Sequence, residues 1–526
     1  MKKLLFTIIS SLILCLYPVN ALAYDFSVNP FYAIRSSDEY LNVKDTIDES
    51  DTIYFGWSRI VRDSEGKMVF TSDRNAISKF DINSEYSIPE PIGDMLPNEM
   101  RKVEKPGGKN MLMVFLNKIN YDDGKVSIIE FLNMDEELWD KLIIEPMISK
   151  VDEYGFDGVA LDIENIMDTF TTDKYDDKQN SNLKEKYNRF LKELKNKLNG
   201  RKLSVCVNMP EYDGYDYSYI YDNADNIILI AYPYTHYTTY SESDGVPDLI
   251  GKIKEIDVPE PEPYDMVKSD TDKVVSILKQ HGGSAFNPKK ILLGITLQVN
   301  GWVQKEYPYG SNVYKYYEKA SSLGADSKFN ISSLEDMENI NVPGEYVLES
   351  PVYKYTSRTY KKVVQDGLED GIKKIEYYYD TPETLFEKYY TLLGDYDLSG
   401  ITVWRLGLGG SKIWSDLKSI FSSNETYEEL PSKIDVPIDK VWNVKFNMPI
   451  DEKLTSSSEN ISVLDAYKNS FPVKLKFDSN TNSVNILPVS KYSKGSIYYL
   501  IIGKDIKSRS GLQLSKPVIM KFKTIE

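Results

Sequence analysis

Cysteine is nearly missing from this chain of 526 residues: Cys15 and Cys206 are the only two. Cys15 falls inside an N-terminal apolar run, so after processing one thiol remains, and an internal disulfide framework is excluded. Histidine is as scarce. His236 and His281 are the only two, neither has the spacing of a metal-ligand set, and both read as loop residues; no metal and no cofactor are expected. Positive charge is in deficit, 63 Lys+Arg against 80 Asp+Glu for a net −17, which argues against nucleic acid and against anionic membrane surfaces as partners. Neutral polymers stay open. Long apolar runs are lacking too, apart from residues 4–17. That run follows Lys2 and Lys3, is broken by Pro18 and precedes Ala21-Leu22-Ala23, the plan of a secretory signal peptide over 1–23. It is shorter than the roughly 20 residues of a membrane span. Leu14 stands before Cys15 where a lipid acceptor site wants a small residue, which argues against lipid attachment. The expectation is a soluble chain from Tyr24 onward, secreted or at the cell surface, with no membrane contact after cleavage.

What is present divides into two parts, as the length suggests. Short apolar runs alternate with helical patterns, the signature of βα units. Eight strand candidates occur at 30–34, 52–57, 111–117, 156–164, 202–208, 226–233, 290–297 and 400–406. They predict an α/β fold closed as a (β/α)8 TIM barrel over 24–421. A helix follows the fourth strand, with Leu183, Tyr187, Phe190, Leu194 and Leu198 on one face and Gly200 at its end. Residues 135–154 read as a helix that Pro146 should kink or split, and 381–393 as another with Pro382 near its start. Two stretches exceed ordinary barrel loops, 235–288 and 303–374, and both follow strands. Loops in that position sit on the catalytic face, so these insertions are expected to wall a cleft.

Residues 422–437 read as a linker, and from 438 to 526 short alternating strands separated by turn residues predict an all-β domain. The run Val441-Trp442-Asn443-Val444-Lys445-Phe446-Asn447, with Tyr498-Tyr499-Leu500 and Lys521-Phe522-Lys523-Thr524, resembles the immunoglobulin-like modules of bacterial surface proteins. The resemblance implies a C-terminal immunoglobulin-like sandwich, and cell-wall association through it is one expectation.

The most informative run is Asp157-Gly158-Val159-Ala160-Leu161-Asp162-Ile163-Glu164. Side chains alternate along a strand, so Val159, Leu161 and Ile163 share an apolar face while Ala160, Asp162 and Glu164 share the other. If the apolar face packs on helices, two acids face the barrel interior, where an ionised carboxylate costs several kcal/mol unless paired. Like charges two residues apart should titrate as a coupled pair. Glu164, at the strand end, reaches the mouth where catalytic groups of such barrels lie, and burial would raise its pKa toward that of a general acid. A solvated edge strand with ordinary acids is the bland alternative. A divalent-metal site on Asp162 and Glu164 is another, with no further ligands nearby in sequence.

Asp157-Gly158-x-x-x-Asp162-x-Glu164 resembles the D-G-x-D-x-D-x-E signature of glycoside hydrolase family 18, the chitinases and endo-N-acetylglucosaminidases, nearest the spore-cortex and peptidoglycan glucosaminidase branch. The second Asp of the pattern is Ala160 here. Ile230-Ala231-Tyr232-Pro233 is similar to the family's M-x-Y-D with Pro233 in place of Asp; Leu292-Leu293-Gly294-Ile295 before Trp302 looks like its seventh strand, and 398–407 its last. The resemblance implies a glycosidase that cleaves β-1,4 bonds at N-acetylglucosamine in chitin, peptidoglycan or related glycans with retention, the substrate's own acetamido group serving as nucleophile. It further implies Glu164 as acid and base, Asp162 holding the amide N–H, Tyr232 donating to the acetamido oxygen, and Trp404 as an apolar floor. Asp157 and Gly158 are read as structural. Trp302, Trp57 and Tyr32 are candidate sugar-binding residues; core or rim packing is the competing reading for the two tryptophans. The missing acids at Ala160 and Pro233 point to slower turnover or a shifted pH optimum. The alternative function is a carbohydrate-binding surface protein without turnover.

Overall fold

The computed structural model describes residues 12–14, 26–33, 50–72, 108–117, 127–167, 182–209, 213–324, 327–339, 345–349, 358–365, 368, 371–421, 428–446, 448–450, 460–465, 470–503, 506, 508–509 and 517–525. Most of the proposed signal peptide and residues 422–427 of the proposed linker lie outside these. Two compact units emerge, Phe26–Phe421 and Ser422–Glu526 together with Met1–Asp25.

In the larger unit, eight parallel strands close on themselves: β1 (Ser27–Tyr32), β2 (Thr52–Arg62), β3 (Lys109–Leu116), β4 (Gly158–Ile163), β5 (Lys202–Asn208), β6 (Asn226–Ile230), β7 (Ile291–Thr296) and β8 (Gly400–Trp404). Each pairs with its sequence neighbours, and β1 pairs with both β8 and β2, which completes the barrel. Runs such as Asn226–Ile230 and Ile291–Thr296 are apolar on both faces because one packs into the barrel and the other against helices. All eight expected strands are there. β2 runs longer than expected and folds back on Met68–Thr71.

The helix Leu183–Lys197 buries Leu183, Tyr187, Phe190, Leu191 and Leu194. Phe190 meets Phe131 at 4.8 Å and Trp139 at 5.6 Å, edge to face. Upstream, the split expected at Pro146 does not occur: helix Glu136–Trp139 passes through a π-helical turn, Asp140–Ile144, into helix Glu145–Tyr154. A wider turn before a proline accommodates its ring and its missing N–H. Pro382 opens helix Pro382–Asp395, which Thr381 caps.

The two long insertions, expected to wall a cleft, build one antiparallel sheet. Its order is Glu345–Glu349, Arg358–Val364, Ile372–Tyr379, Asn300–Tyr309, Asn312–Lys319, Ile253–Val258 and His236–Thr239. Ile253 opposite Tyr317 joins the first insertion to the second.

The smaller unit carries two sheets. One contains Trp442–Phe446, Val473–Asp478 and Ser483–Pro488, with Leu12–Leu14 beside Trp442–Phe446; the other contains Glu428–Val436, Ile461–Asp465, Ser470–Phe471, Ile497–Ile502 and Val518–Thr524. Trp442, Val444 and Ile486 from one sheet and Val463, Leu500 and Phe522 from the other share one buried core, as in a sandwich. The linker expected over 422–437 is corrected for Glu428–Val436, a strand paired in parallel with Val518–Thr524. Its charges and Pro431 look like linker because residues 431–435 are exposed along an edge strand.

Candidate active site

The acidic strand is held at both ends. At its start a Cβ on Gly158 would lie 2.0 Å from the Lys202 carbonyl oxygen, so only glycine permits this approach of β4 to β5. Asp157 accepts from the Asn110 N–H at 2.9 Å, donates its own N–H to the Asn110 carbonyl and accepts from Lys202 N–H through its carbonyl. It therefore ties β3, β4 and β5 together at the end opposite the mouth, a structural position. At the other end the Glu164 N–H donates to the Leu116 carbonyl at 2.9 Å, and the chain then leaves the strand through Asn165 at φ 58°. Tyr215 Oη donates to the Ile163 carbonyl at 2.6 Å, and Asn208 Oδ1 accepts the Asn165 N–H at 2.9 Å. Glu164 is thus fixed from both neighbouring strands.

Alternation runs as the sequence predicts. Ala160 belongs to the interior cluster that includes Phe31, Met113, Phe115, Cys206 and Ile230, while Val159, Leu161 and Ile163 are buried outside that cluster. Asp162 follows Ala160 on the interior face and is 6% exposed; among the described residues its Oδ1 has no hydrogen-bond partner. Glu164, one step nearer the mouth, is partly exposed. Burial raises the pKa of Asp162 well above the usual range, and the charge of Glu164 adds to it, against a lowering hydrogen bond from Cys206. Burial lifts Glu164 to about 7. Both acids therefore hold a proton more tightly than free carboxyls do, and the two resist being ionised together.

Tyr232 lies two residues beyond Ile230 and, with Trp404 at the end of β8, packs on the same cluster. The Trp404 ring meets Phe31 at 5.9 Å. Burial first, then the charge of Asp162, keep the Tyr232 hydroxyl protonated, able to donate. Four predicted residues, Asp162, Glu164, Tyr232 and Trp404, thus meet at the carboxyl ends of the strands.

Two predicted sugar contacts are corrected. Trp302 is 1% exposed, donates from Nε1 to the Pro259 carbonyl at 3.2 Å and lies under Lys319 Nζ at 3.7 Å, so it is core of the inserted sheet. Tyr32 is 4% exposed and packs on Phe55 at 5.3 Å, because its neighbour Phe31 takes the interior face and alternation sends Tyr32 outward. Neither offers a face to a glycan. Trp57 lies in β2, where the pairing with β3 shifts between Phe55 and Ser58; its side chain lies outside the described residues.

Sequence reasoning missed a buried polar group behind Tyr232. Glu262 accepts from the Thr296 N–H at the end of β7 and from Tyr389 Oη at 2.8 Å. Lys388 donates to Asp380 at 2.7 Å and to the Glu262 carbonyl and Thr359 Oγ1, each at 3.1 Å. Burial lifts Glu262 to about 8 and the neighbouring Glu260 to about 7. No local signal marked it: the Pro259-Glu260-Pro261-Glu262-Pro263 run has the composition of an exposed loop, and only the fold buries its acids. Among the described residues no group of three or more His, Cys, Asp or Glu could hold a metal, and no helix is long and apolar enough to cross a membrane.

A closed parallel barrel with two acids of raised pKa at its mouth is built for acid–base chemistry on a bound substrate. The chain belongs to the glycosyl hydrolases of family 18, whose model matches residues 124–409, and it is a glycosidase. Residues 431–524 match a bacterial immunoglobulin-like domain. No curated protein matches the chain. Among solved structures it is similar to catalytic domain 2 of the Ostrinia furnacalis group II chitinase, at 14% identity over 76% of this chain and 98% of that one, with a TM-score of 0.52. A mutant of that domain, in complex with a chitooligosaccharide, matches at 15% identity over 76% and 98%, with a TM-score of 0.50. The Bacillus cereus spore cortex-lytic enzyme SleL matches at 16% identity over 74% and 73%, with a TM-score of 0.45. These likenesses are of fold.

Proposed function

We propose that the protein is an exported hydrolase of β-1,4 linkages at N-acetylglucosamine, acting with retention through the substrate's acetamido group. The observation that carries this reading is the pairing of a fully interior Asp162 with a mouth-facing Glu164 held near neutral pKa. A glycosidic oxygen is a poor leaving group, and an acid titrating near 7 is suited to protonate it. In this reading the acetamido oxygen attacks the anomeric carbon as Glu164 gives its proton to the leaving oxygen. An oxazolinium ion forms and the bond to the leaving sugar breaks. Asp162 accepts the acetamido N–H, and Tyr232, its hydroxyl kept protonated, donates to the acetamido oxygen. Water, deprotonated by Glu164, then opens the ring. Asp162 takes the place of the second carboxylate of other retaining enzymes without bonding to carbon. Trp404 supplies the apolar floor.

Export rests on the N-terminal apolar run, and attachment to the wall on the immunoglobulin-like unit. The chitinase bound to a chitooligosaccharide supports a glycan of N-acetylglucosamine as substrate. The test is release of N-acetylglucosamine-ended fragments from chitin oligomers or muropeptides by residues 24–526, followed by mass spectrometry. Glu164→Gln should abolish release while leaving thermal unfolding unchanged; equal release by both proteins would remove Glu164 from the reaction.

A further inference from the structure

Asp162 has one interior neighbour on each adjoining strand. On the β3 side it is Phe115, in direct register. On the β5 side the register Ala160 to Ser204 and Leu161 to Val205 brings Cys206 opposite Asp162, and Cys206 belongs to the same interior cluster as Ala160 and Phe115. Opposed residues on one face of a sheet stand about 5 Å apart, within reach of a thiol and a carboxylate. Phe115 has nothing to donate, and Ala160, one layer below, has no polar atom. Of the residues opposed to Asp162 on the two neighbouring strands, Cys206 is therefore the one able to donate to its carboxylate.

We propose that Cys206 is a positioning residue of the active site, its thiol donating to the buried Oδ1 of Asp162 and so steadying the carboxylate for the substrate. The inference rests on the function proposed above for Asp162. Two observations support it independently: Asp162 Oδ1 is buried with no other partner among the described residues, the situation a donor from the neighbouring strand relieves, and Cys206 is 1% exposed, too enclosed to serve as a surface thiol. Burial also raises the thiol pKa well above its usual value, so the group stays a neutral S–H donor. It stands where a carboxylate next to an apolar ring would otherwise lack support. The titratable groups that act on this pair are Glu164 just after β4, Tyr232 after β6, Tyr215 after β5, Tyr187 on the helix Leu183–Lys197 and Tyr54 on β2. Arg59 lies over the Phe115 ring at 5.0 Å.

The experiment compares wild type, Cys206→Ala and Cys206→Ser on N-acetylchitooligosaccharides and on purified peptidoglycan. Cys206→Ala should lose about tenfold in kcat with KM little changed, the size of one lost hydrogen bond to a charged group, and the acid limb of its pH profile should move up. Cys206→Ser, which keeps a donor, should restore most of the rate and the original limb. Wild-type kcat and an unmoved limb in Cys206→Ala would overturn the proposal. If wild type itself cleaves neither substrate, the functional reading fails, and the contact is then read by carboxyl carbon NMR titration of Asp162, assigned with Asp162→Asn. An Asp162 titration that rises in Cys206→Ala and returns in Cys206→Ser upholds the positioning role; identical titrations in all three refute it. Should Cys206→Ala fail to fold, wild type and Cys206→Ser are compared by the same titration. A hydroxyl donates more strongly than a thiol, so the Asp162 titration should move down, and an unmoved one would count against the contact.

Discussion

Lys388 Nζ stands 2.7 Å from Asp380 Oδ2 in an ion pair closed to solvent. Asp380 follows the last strand of the inserted sheet, Ile372–Tyr379, and Lys388 lies on helix Pro382–Asp395. Through the Glu262 carbonyl the lysine also grips the loop behind Tyr232. Removing one partner of such a pair leaves a buried charge uncompensated. Lys388→Met should cost about 3–5 kcal/mol in denaturant unfolding, and adding Asp380→Asn should recover much of it. Additive losses in the double variant would show that the pair is not the source.

Glu260 makes stability depend on pH. It is buried, neither of its carboxylate oxygens has a hydrogen-bond partner among the described residues, and its pKa is raised from 4.5 to about 7. The folded state therefore binds the proton more tightly than the unfolded state does. Its contribution is fully present below about pH 4.5 and is lost as pH rises through about 7. Glu260→Gln should raise thermal stability at pH 8, by roughly 3 kcal/mol at most, and change little at pH 4.5. A melting temperature lowered equally at both pH values would reject this account.

Glu164 dictates the alkaline side of the rate profile. As general acid it works protonated, so kcat/KM on a chitooligosaccharide should fall as pH rises through about 7. A rate that climbs steadily to pH 9 would assign the proton to another group.

Trp302 and Trp404 separate stability from activity. Trp302→Ala should cost about 3–5 kcal/mol as a core truncation, with kcat per folded molecule preserved. Trp404→Ala should lower kcat/KM about tenfold or more, equivalent to ~1.4 kcal/mol of lost contact with the sugar, with a smaller change in melting temperature. Reversal of the two phenotypes would exchange their assigned places.

The barrel was legible because each strand is a short apolar run bounded by turns, a local property. The acidic strand was legible for the same reason: alternation alone separates Leu161 from Asp162. Alternation also explains the failure at Tyr32, whose neighbour Phe31 competes for the same interior space; sequence marks two faces but not which one the barrel takes. Trp302 and Cys206 depended on register between distant segments, and no local pattern sets Trp302 under Lys319 or Cys206 beside Asp162. The strand Glu428–Val436 was hidden because an edge needs few apolar residues. Lys388, Asp380 and Glu262 escaped notice since each is ordinary until folding brings them together.

The sheet shared by the two insertions has a consequence for engineering. Ile253 and Tyr317 meet across strands supplied from either side of β7. Excising either segment would expose raw edges on the other, so shortening this enzyme to a bare barrel, or transplanting its appendage onto another scaffold, requires both pieces in one step.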